Sequence, residues 1–250
     1  MKITSTQNQL VKLYASLKLK KNRELHGIFL LEGEDLLKEA YAAKAIKTIL
    51  YVDEKPLKDD SIEFIEVSEE IIKKISTQVT PGKFVAICKL LDNNAEKGKK
   101  VIVLDGVQDP GNGGTILRSA IAFGFDEMLL SNDSFDIYND KFLRASKGSI
   151  FNINIKRLNL KEELLERKSF GYQIITTSVI NSSSYDKFNY NDKLCLVVGN
   201  EGQGISKEIF DLSDASVHIS MSDKMESLNV GVAASIIMSK IYSDILPPLR

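Results

Sequence analysis

One pattern constrains this sequence more than any other. A short, continuous apolar run ends in a glycine-bearing loop and continues into a helix-like segment, and this happens more than once. Residues 101–105, VIVLD, lead into GVQDPGNGG and then TILRSAIAFGF; residues 194–198, LCLVV, lead into GNEGQGIS. A strand that is apolar at every position is buried on both faces, as a parallel strand covered by helices on each side must be. A half-exposed strand would alternate instead. EMLLS, FNINI, GYQIITT and SVHIS supply further strands, and a last helix runs from about 229 to 242. The expected fold class for 101–250 is therefore α/β, a mostly parallel sheet with helices on both faces.

Residues 1–91 read as a smaller α/β domain. Leu10, Leu13, Tyr14 and Leu17 recur at helical spacing and predict one helix over 8–22. Strands are expected at 28–31, 48–53, 63–67 and 84–90, with helices over EDLLKEAYAA and EEIIKKIS. Residues 92–100, DNNAEKGKK, have no apolar periodicity and read as a linker. A chain of 250 residues with 43% hydrophobic and 27% charged residues can bury a core in one large domain or two modest ones.

Charge narrows the class of molecule. Lys plus Arg is 33 and Asp plus Glu is 34, which excludes a uniformly basic, tail-like polyanion binder but not a local basic surface. The distribution is uneven. Residues 1–25 hold six basic residues and one acid, 53–70 hold two lysines and eight acids, and 141–169 hold eight basic residues and three acids. Cys88 and Cys195 give neither a disulfide framework nor metal spacing, and His26 and His218 belong to no metal motif, so no metal is expected. The opening residues lack the apolar run of a signal peptide, and no stretch approaches the roughly 20 apolar residues that cross a bilayer. A reduced, cytoplasmic protein without membrane segments is the expectation.

Three loops can carry chemistry. In the first, Pro110 and the glycines at 111, 113 and 114 make a tight turn that displays Asn112, with Arg118 one turn into the helix. The second, Gly199-Asn200-Glu201-Gly202-Gln203-Gly204, is neither GxGxxG nor a P-loop, which disfavours a dinucleotide oxidoreductase and a nucleotide hydrolase of those types. The third, Glu226-Ser227-Leu228-Asn229, opens a helix kept thin by Ala233, Ala234 and Ser235. Each loop alone is equally compatible with an ordinary turn, and Ser227 or Asn229 with a helix cap.

Taken together, DGVQDPGNGGTILRSAIAFG, LCLVVGNEGQGIS and ISMSDKMESLNVGVAASI resemble motifs one, two and three of the SpoU/TrmH-type RNA ribose 2′-O-methyltransferases of the SPOUT class. TSTQNQLVKL and KKNRELHGIFLLEG resemble the substrate-binding domain often fused ahead of that catalytic domain, whose fold is like that of certain ribosomal proteins. Ser119 stands where Thr is common in the family, and Gly231 where a bulkier residue is frequent.

The resemblance implies a trefoil-knotted catalytic domain at 101–250 that binds S-adenosylmethionine, works as a homodimer and needs no metal. It implies catalytic roles for Asn112, Arg118, Glu201, Ser227 and Asn229, and a cofactor site at Val198, Gly199, Asn200, Gly204, Ile219, Met221, Leu228 and Asn229. Arg118 would hold the RNA phosphate beside the target ribose with Asn112 steadying its loop, and Ser227 and Asn229 would orient Arg118 or the nucleotide. Whether Arg118 is the general base stays open, because a guanidinium is normally always protonated. The N-terminal domain resembles those of ribosomal-RNA enzymes more than tRNA enzymes. A tRNA ribose methyltransferase, a non-catalytic RNA-binding protein of the same fold and a structural dimerisation module are the alternatives. Lys18, Lys20, Lys21 and Arg23 from the first basic stretch, with Arg144 and Lys147 from the third and Arg118, are the expected RNA contacts. The two stretches would form two ends of one track, with the acidic stretch facing away.

Overall fold

The computed structural model describes residues 2–92 and 96–245. The chain divides into two units, with boundaries after Asp92, Phe135 and Phe151; residues 136–151 belong to the first.

The first unit opens with β1 (Lys2–Ile3), α1 (Gln9–Ser16), α2 (Lys20–His26) and β2 (Ile28–Leu31). It continues through α3 (Glu34–Ala42), β3 (Ile46–Tyr51), β4 (Glu63–Val67), α4 (Glu69–Ile75) and β5 (Phe84–Lys89). Its sheet has the order β1-β4-β3-β5-β2. β1, β4 and β3 are parallel, whereas β5 runs antiparallel to β3 and β2. Val11, Tyr14 and Leu17 pack with Ile65, Ile71, Ile72, Ile75 and Ile87 in its core.

The helix expected over 8–22 is two helices. Leu19 is extended, at φ −95° and ψ 130°, and breaks the run. The reason lies at Arg23, whose guanidinium folds back to donate to the carbonyls of Leu17 (2.7 Å) and Lys18 (3.0 Å) at the end of α1. Those acceptors have no partner inside a terminated helix, and the arginine satisfies them. Arg23 also pairs with Asp136 and is 6% exposed. Its expected place among the RNA contacts is therefore corrected: this cation is interior and structural.

The second unit carries β6 (Lys100–Asp105), α5 (Pro110–Ala122) and β7 (Glu127–Leu130). The chain then enters the first unit for α6 (Asp140–Ser146) and a short 3₁₀ turn, Ser149–Phe151. There the Tyr138 hydroxyl accepts from the Leu91 N–H at 2.8 Å, and its ring lies 4.6 Å from that of Phe29. Back in the second unit follow β8 (Asn154–Arg157), α7 (Leu160–Ser169), β9 (Gln173–Thr177) and β10 (Ser183–Ser184). β11 (Leu194–Gly199), α8 (Lys207–Phe210), β12 (Ala215–His218) and α9 (Val230–Ile245) complete it. The strand expected over FNINI starts later, at Asn154, because the 3₁₀ turn takes its first residue.

The seven-stranded sheet has the order β10-β12-β9-β11-β6-β7-β8, and every pairing is parallel. Val101 and Val103 join the cluster beneath α7 with Leu160, Leu164 and Ile209, while Ile102 and Leu104 are fully buried too. Burial on both faces is why β6 and β11 read as unbroken apolar runs. α5 and α9 pack together, joined by the Ser119 and Ser235 hydroxyls at 2.7 Å. Among the described residues no helix is long and apolar enough to cross a membrane.

Candidate active site

β6 and β11 lie side by side at the middle of the parallel sheet, with Gly199 level with Asp105. From β6 the chain proceeds outward to β7 and β8; β11 borders β9 and β12 on the other side. Ligands of open α/β sheets bind beyond the carboxyl ends of strands at such a reversal. Both loops leave from that edge. The Asn200 amide donates to the Gly106 carbonyl at 2.8 Å, and the Asp105 carboxylate accepts from the Ser206 N–H at 2.7 Å. Gly199 has no room for a side chain, since a Cβ there would overlap the backbone of Gly204 and Ile205. The second loop thus folds back on itself, Asn200 and Gly204 exchanging both backbone hydrogen bonds at 2.9 Å.

The first loop is held from beneath. Arg157, at the end of β8, donates to the carbonyls of Ser131 (2.6 Å), Asn132 (3.1 Å) and Ser134 (3.0 Å), and to that of Phe135. The segment so fixed bonds to 104–108: Phe135 N–H donates to Val107 O, Gly106 N–H to Ser131 Oγ, and Gln108 Nε2 to Asp133 O. The Phe135 ring covers Gly113, where a Cβ would overlap it. Asp109 caps α5 by accepting from the Asn112 N–H at 3.0 Å, and Pro110 fills a first-turn position that needs no N–H.

Three expected site residues meet on this frame. Asn112 Nδ2 donates to Glu201 Oε1 at 2.8 Å, and Asn229 Nδ2 donates to Asn112 Oδ1 at 2.8 Å. Asn229 Oδ1 in turn accepts from the N–H groups of Gly231 (2.9 Å) and Val232 (3.3 Å), capping α9. Capping and site assembly are thus one function of one side chain, with its oxygen on the helix and its nitrogen on Asn112. Partial burial alone would raise the Glu201 pKa. The hydrogen bonds from Asn112 and from the Gln108 and Asp109 N–H groups outweigh it and hold the carboxyl below its ordinary value.

Arg118 is exposed on α5 and makes no hydrogen bond or ion pair among the described residues. Among the described residues Asn229 bonds to Asn112 and not to Arg118. Ser227 is exposed and likewise bonds to neither Arg118 nor Asn112.

Beside this network is a cavity of about 180 Å³ between the ends of β9 and β12, the third loop and α9. Ile219, Met221 and Leu228, which the resemblance implies as cofactor residues, line it, and so does Ser227, which it implies as catalytic. Val198, Gly199, Asn200, Gly204 and Asn229 are not in its lining; they form the loop crossing and the α9 cap described above. Sequence reasoning missed Thr177, Ser178, Val217, His218, Ala233 and Ile237. The first four end ordinary strands and carry no motif; only their position at the sheet's carboxyl edge could have flagged them. The Ser182 hydroxyl lies 2.8 Å from His218 Nδ1. Among the described residues no group of three or more His, Cys, Asp or Glu can hold a metal.

The third basic stretch divides between the two units. Lys18, Lys20, Lys21, Arg144 and Lys147 are exposed in the first unit, Arg144 pairing with Asp140 on its own helix. The remainder of the third stretch lies in the second unit and is bonded internally, Lys156 to Glu127, Lys161 to Glu208 and Lys168 to Asp214. Arg167 is fully buried between Glu127 (2.6 Å) and Glu163 (2.7 Å).

Comparison with known proteins bears on this geometry. Residues 99–239 match the SpoU rRNA Methylase family, and residues 8–86 match the MRM3-like substrate binding domain. The chain is 35% identical over 240 residues to the Bacillus subtilis (strain 168) 23S rRNA (guanosine(2553)-2′-O)-methyltransferase RlmP, covering 94% of this chain and 97% of that one. An rRNA methyltransferase from Sinorhizobium meliloti has the same architecture, with a TM-score of 0.88 at 28% identity over 99% of each chain. The AdoMet-bound structure from that organism gives 0.88 at 27% identity over 99% of each chain.

Proposed function

Because the chain belongs to the SpoU rRNA methylase family, and is thus an S-adenosylmethionine-dependent RNA ribose 2′-O-methyltransferase, we propose that its substrate is a guanosine of 23S rRNA. The B. subtilis relative is named for that nucleotide and is alike over nearly its whole length. The single observation that carries the site assignment is the Glu201–Asn112–Asn229 chain, which ties all three loops together beside one cavity.

The residues present fit the cofactor. Val217, Ile219, Leu228 and Ile237 offer apolar walls for a purine and an aliphatic chain, while the hydroxyls of Ser178 and Ser227 offer hydrogen bonds to its polar edges. S-adenosylmethionine supplies an electrophilic methyl group with its leaving group attached. The protein's task is then orientation and proton removal. Glu201 stays ionised and fixes Asn112, which with Phe135 over Gly113 holds the start of α5 rigid. That rigidity presents Arg118, unengaged by the described residues, to the phosphate beside the target ribose. A guanidinium that keeps its proton can position the 2′-hydroxyl and stabilise developing charge while water or phosphate accepts the proton.

The chain works in the cytoplasm as a homodimer, its C-terminal segment threaded as a trefoil knot. The exposed side of α9 supports the dimer: Val232 and Tyr242 are 46% and 37% exposed, beside a groove lined by Phe123, Tyr185, Ser235 and Ile236. Sedimentation of the full chain at micromolar concentration is expected to show two copies, and a monomer that still methylates RNA refutes this.

The test of the assignment is Arg118→Ala. Turnover on 23S rRNA should fall roughly a hundredfold or more, while S-adenosylmethionine affinity, read by calorimetry, changes less than about twofold. Mapping ribose methylation in cells with and without the gene names the nucleotide, and an unchanged 23S map rejects the substrate.

A further inference from the structure

Outside the methyl-transfer site, the first unit holds a cavity of about 540 Å³, well within the range that ligand pockets span. It lies at the edge of the sheet where β3 and β4 begin and β5 ends, beside the end of α3. Tyr41 and Lys44 line it from the helix end, Asp59 and Ser61 from the loop before β4, and Lys89 from β5. Ile46 and Ile62 close its floor and, at 8% exposure each, offer little surface. The accessible apolar face is the ring of Tyr41, which is 44% exposed. The start of β3 is irregular here, its register against β5 shifting between Ile46 and Thr48. Such distortions are frequent beside functional sites because they re-aim side chains.

The charged groups of this cavity are of two kinds. Asp59 is fixed: its Oδ1 accepts from the Ser61 hydroxyl at 2.6 Å and the Ser61 N–H at 2.7 Å, and its Oδ2 accepts from the Tyr41 hydroxyl at 2.9 Å. The Ser61 hydroxyl, the Ser61 N–H and the Tyr41 hydroxyl, in that order, hold the carboxyl below its ordinary value, so it is ionised. A carboxylate has about four acceptor sites, which leaves Oδ2 able to take a further donor. Lys44 and Lys89 are free: both are exposed, and neither ammonium makes a hydrogen bond or ion pair among the described residues. The two lysines outnumber Asp59, the acid of the lining.

A bare phosphate here would meet the fixed carboxylate, which repels it. An apolar side chain would leave two ammonium groups and a carboxylate unanswered. A nucleotide answers all of them, with phosphates for the lysines, a planar face for the Tyr41 ring and an amino edge for Asp59. The Tyr41–Asp59 hydrogen bond sets ring and carboxylate side by side, so a base stacked on the ring has one edge over the carboxylate. Guanine, adenine and cytosine have an exocyclic amine to donate to it. Uracil offers a single N–H between two carbonyls, which a carboxylate repels. We propose that this cavity receives one unstacked G, A or C of the substrate RNA, its base on Tyr41 with the amine toward Asp59 and its phosphates on Lys44 and Lys89. The inference rests on the reading of RNA as substrate and adds a second point of recognition, separate from the methylated nucleotide. A free nucleotide shares this chemistry; the exposed Lys18, Lys20 and Lys21 of the same unit favour a longer polyanion.

Full-length enzyme is titrated with 23S rRNA and, separately, with purine nucleoside monophosphates, and the bound RNA is probed with reagents that modify unpaired Watson–Crick edges. Wild-type enzyme should shield one unpaired G, A or C besides the methylated nucleotide. Tyr41→Ala puts a strong helix former at the end of α3; it should lose that protection and bind the RNA about tenfold more weakly, as expected for losing one stacked base. Changing the shielded nucleotide to uridine should weaken wild-type binding about tenfold, but binding by Asp59→Asn less than about threefold, because an amide can donate to a uracil carbonyl. The S-adenosylmethionine affinity of both variants should stay at the wild-type value. A wild-type complex that shields no second nucleotide, Tyr41→Ala that shields and binds like the wild type, or an equal uridine penalty in wild type and Asp59→Asn overturns the cavity and leaves the methyltransferase reading standing. A monophosphate whose binding requires Tyr41 while RNA binding does not makes the occupant a free nucleotide and overturns the RNA assignment of the cavity. Should Tyr41→Ala fail to fold, Lys44→Asn decides: Lys44 has φ 54°, which Asn adopts readily, and its loss should flatten the logarithmic salt slope of RNA binding by roughly 0.7, an unchanged slope overturning the proposal. Wild-type enzyme that does not bind 23S rRNA overturns the RNA reading, and the cavity with it.

Discussion

Residues 141–169 form one basic stretch in the sequence, yet its two halves do opposite things. In and just after α6 of the first unit, Lys141, Arg144 and Lys147 are exposed. In the corner of the second unit made by β7, β8 and α7, Arg167 is fully buried against Glu127, and Arg157 is wedged among four carbonyls. The two halves have the same residue types at similar density. They differ in their surroundings. Glu127 sits on a strand buried on both faces, so its charge must be met from inside, whereas α6 carries its cations on a solvated side. A count of cations along a chain therefore measures neither surface charge nor grip on a polyanion.

The largest test of this contrast is Arg167→Ala. It takes from Glu127 and Glu163 their closest cation, leaving them Lys156 and Lys97 at 3.4 Å, and should destabilise the second unit by about 3 kcal/mol in urea unfolding, with much of the loss recovered when Glu127 and Arg167 are both replaced by leucine. A loss below about 1 kcal/mol would put Arg167 on a par with a surface cation and erase the distinction. Arg23→Ala sharpens it from the other side, because Arg23 belongs to the stretch whose lysines are exposed. Removing it leaves Asp136 without its cation, though still accepting from the Tyr138 N–H, and two helix-end carbonyls unmet, for an expected loss of about 2–3 kcal/mol in the first unit, followed by circular dichroism. The smallest effect on folding belongs to Lys20→Ala with Lys21→Ala. Stability should change by less than about 0.5 kcal/mol. RNA affinity should fall, and its logarithmic salt slope should flatten by roughly 0.7 per lost contact on single strands. An unchanged slope and affinity would remove α2 from the RNA-binding surface.

What could be read beforehand followed from local pattern. The double-sided burial of β6 and β11 shows directly as VIVL and LCLVV, and so announces the parallel sheet. Asn112, Glu201 and Asn229 are recognisable because the loops that hold them, taken together, resemble the three motifs of the SpoU/TrmH family. Their mutual hydrogen bonds are not, since which amide turns toward which carboxylate is decided by strand adjacency. The break at Leu19 was hidden because Leu10, Leu13, Tyr14 and Leu17 keep a helical period right up to it. The cavity walls at Thr177, Ser178, Val217 and His218 were hidden for a different reason: strand ends look alike, and only sheet order selects the ones that border a site.

The passage of residues 136–151 through the first unit has a consequence for how such a chain can be rearranged by recombination. A single crossover at the 92–100 segment would look clean on paper. It would leave Arg23 facing an Asp136 from another parent, the Leu91 N–H seeking a foreign Tyr138, and the Phe29 ring a foreign neighbour. Grafting the recognition half onto another catalytic half therefore takes two exchanged pieces, 1–92 and 136–151, inherited together. Hybrids that swap both should fold where single-crossover hybrids fail.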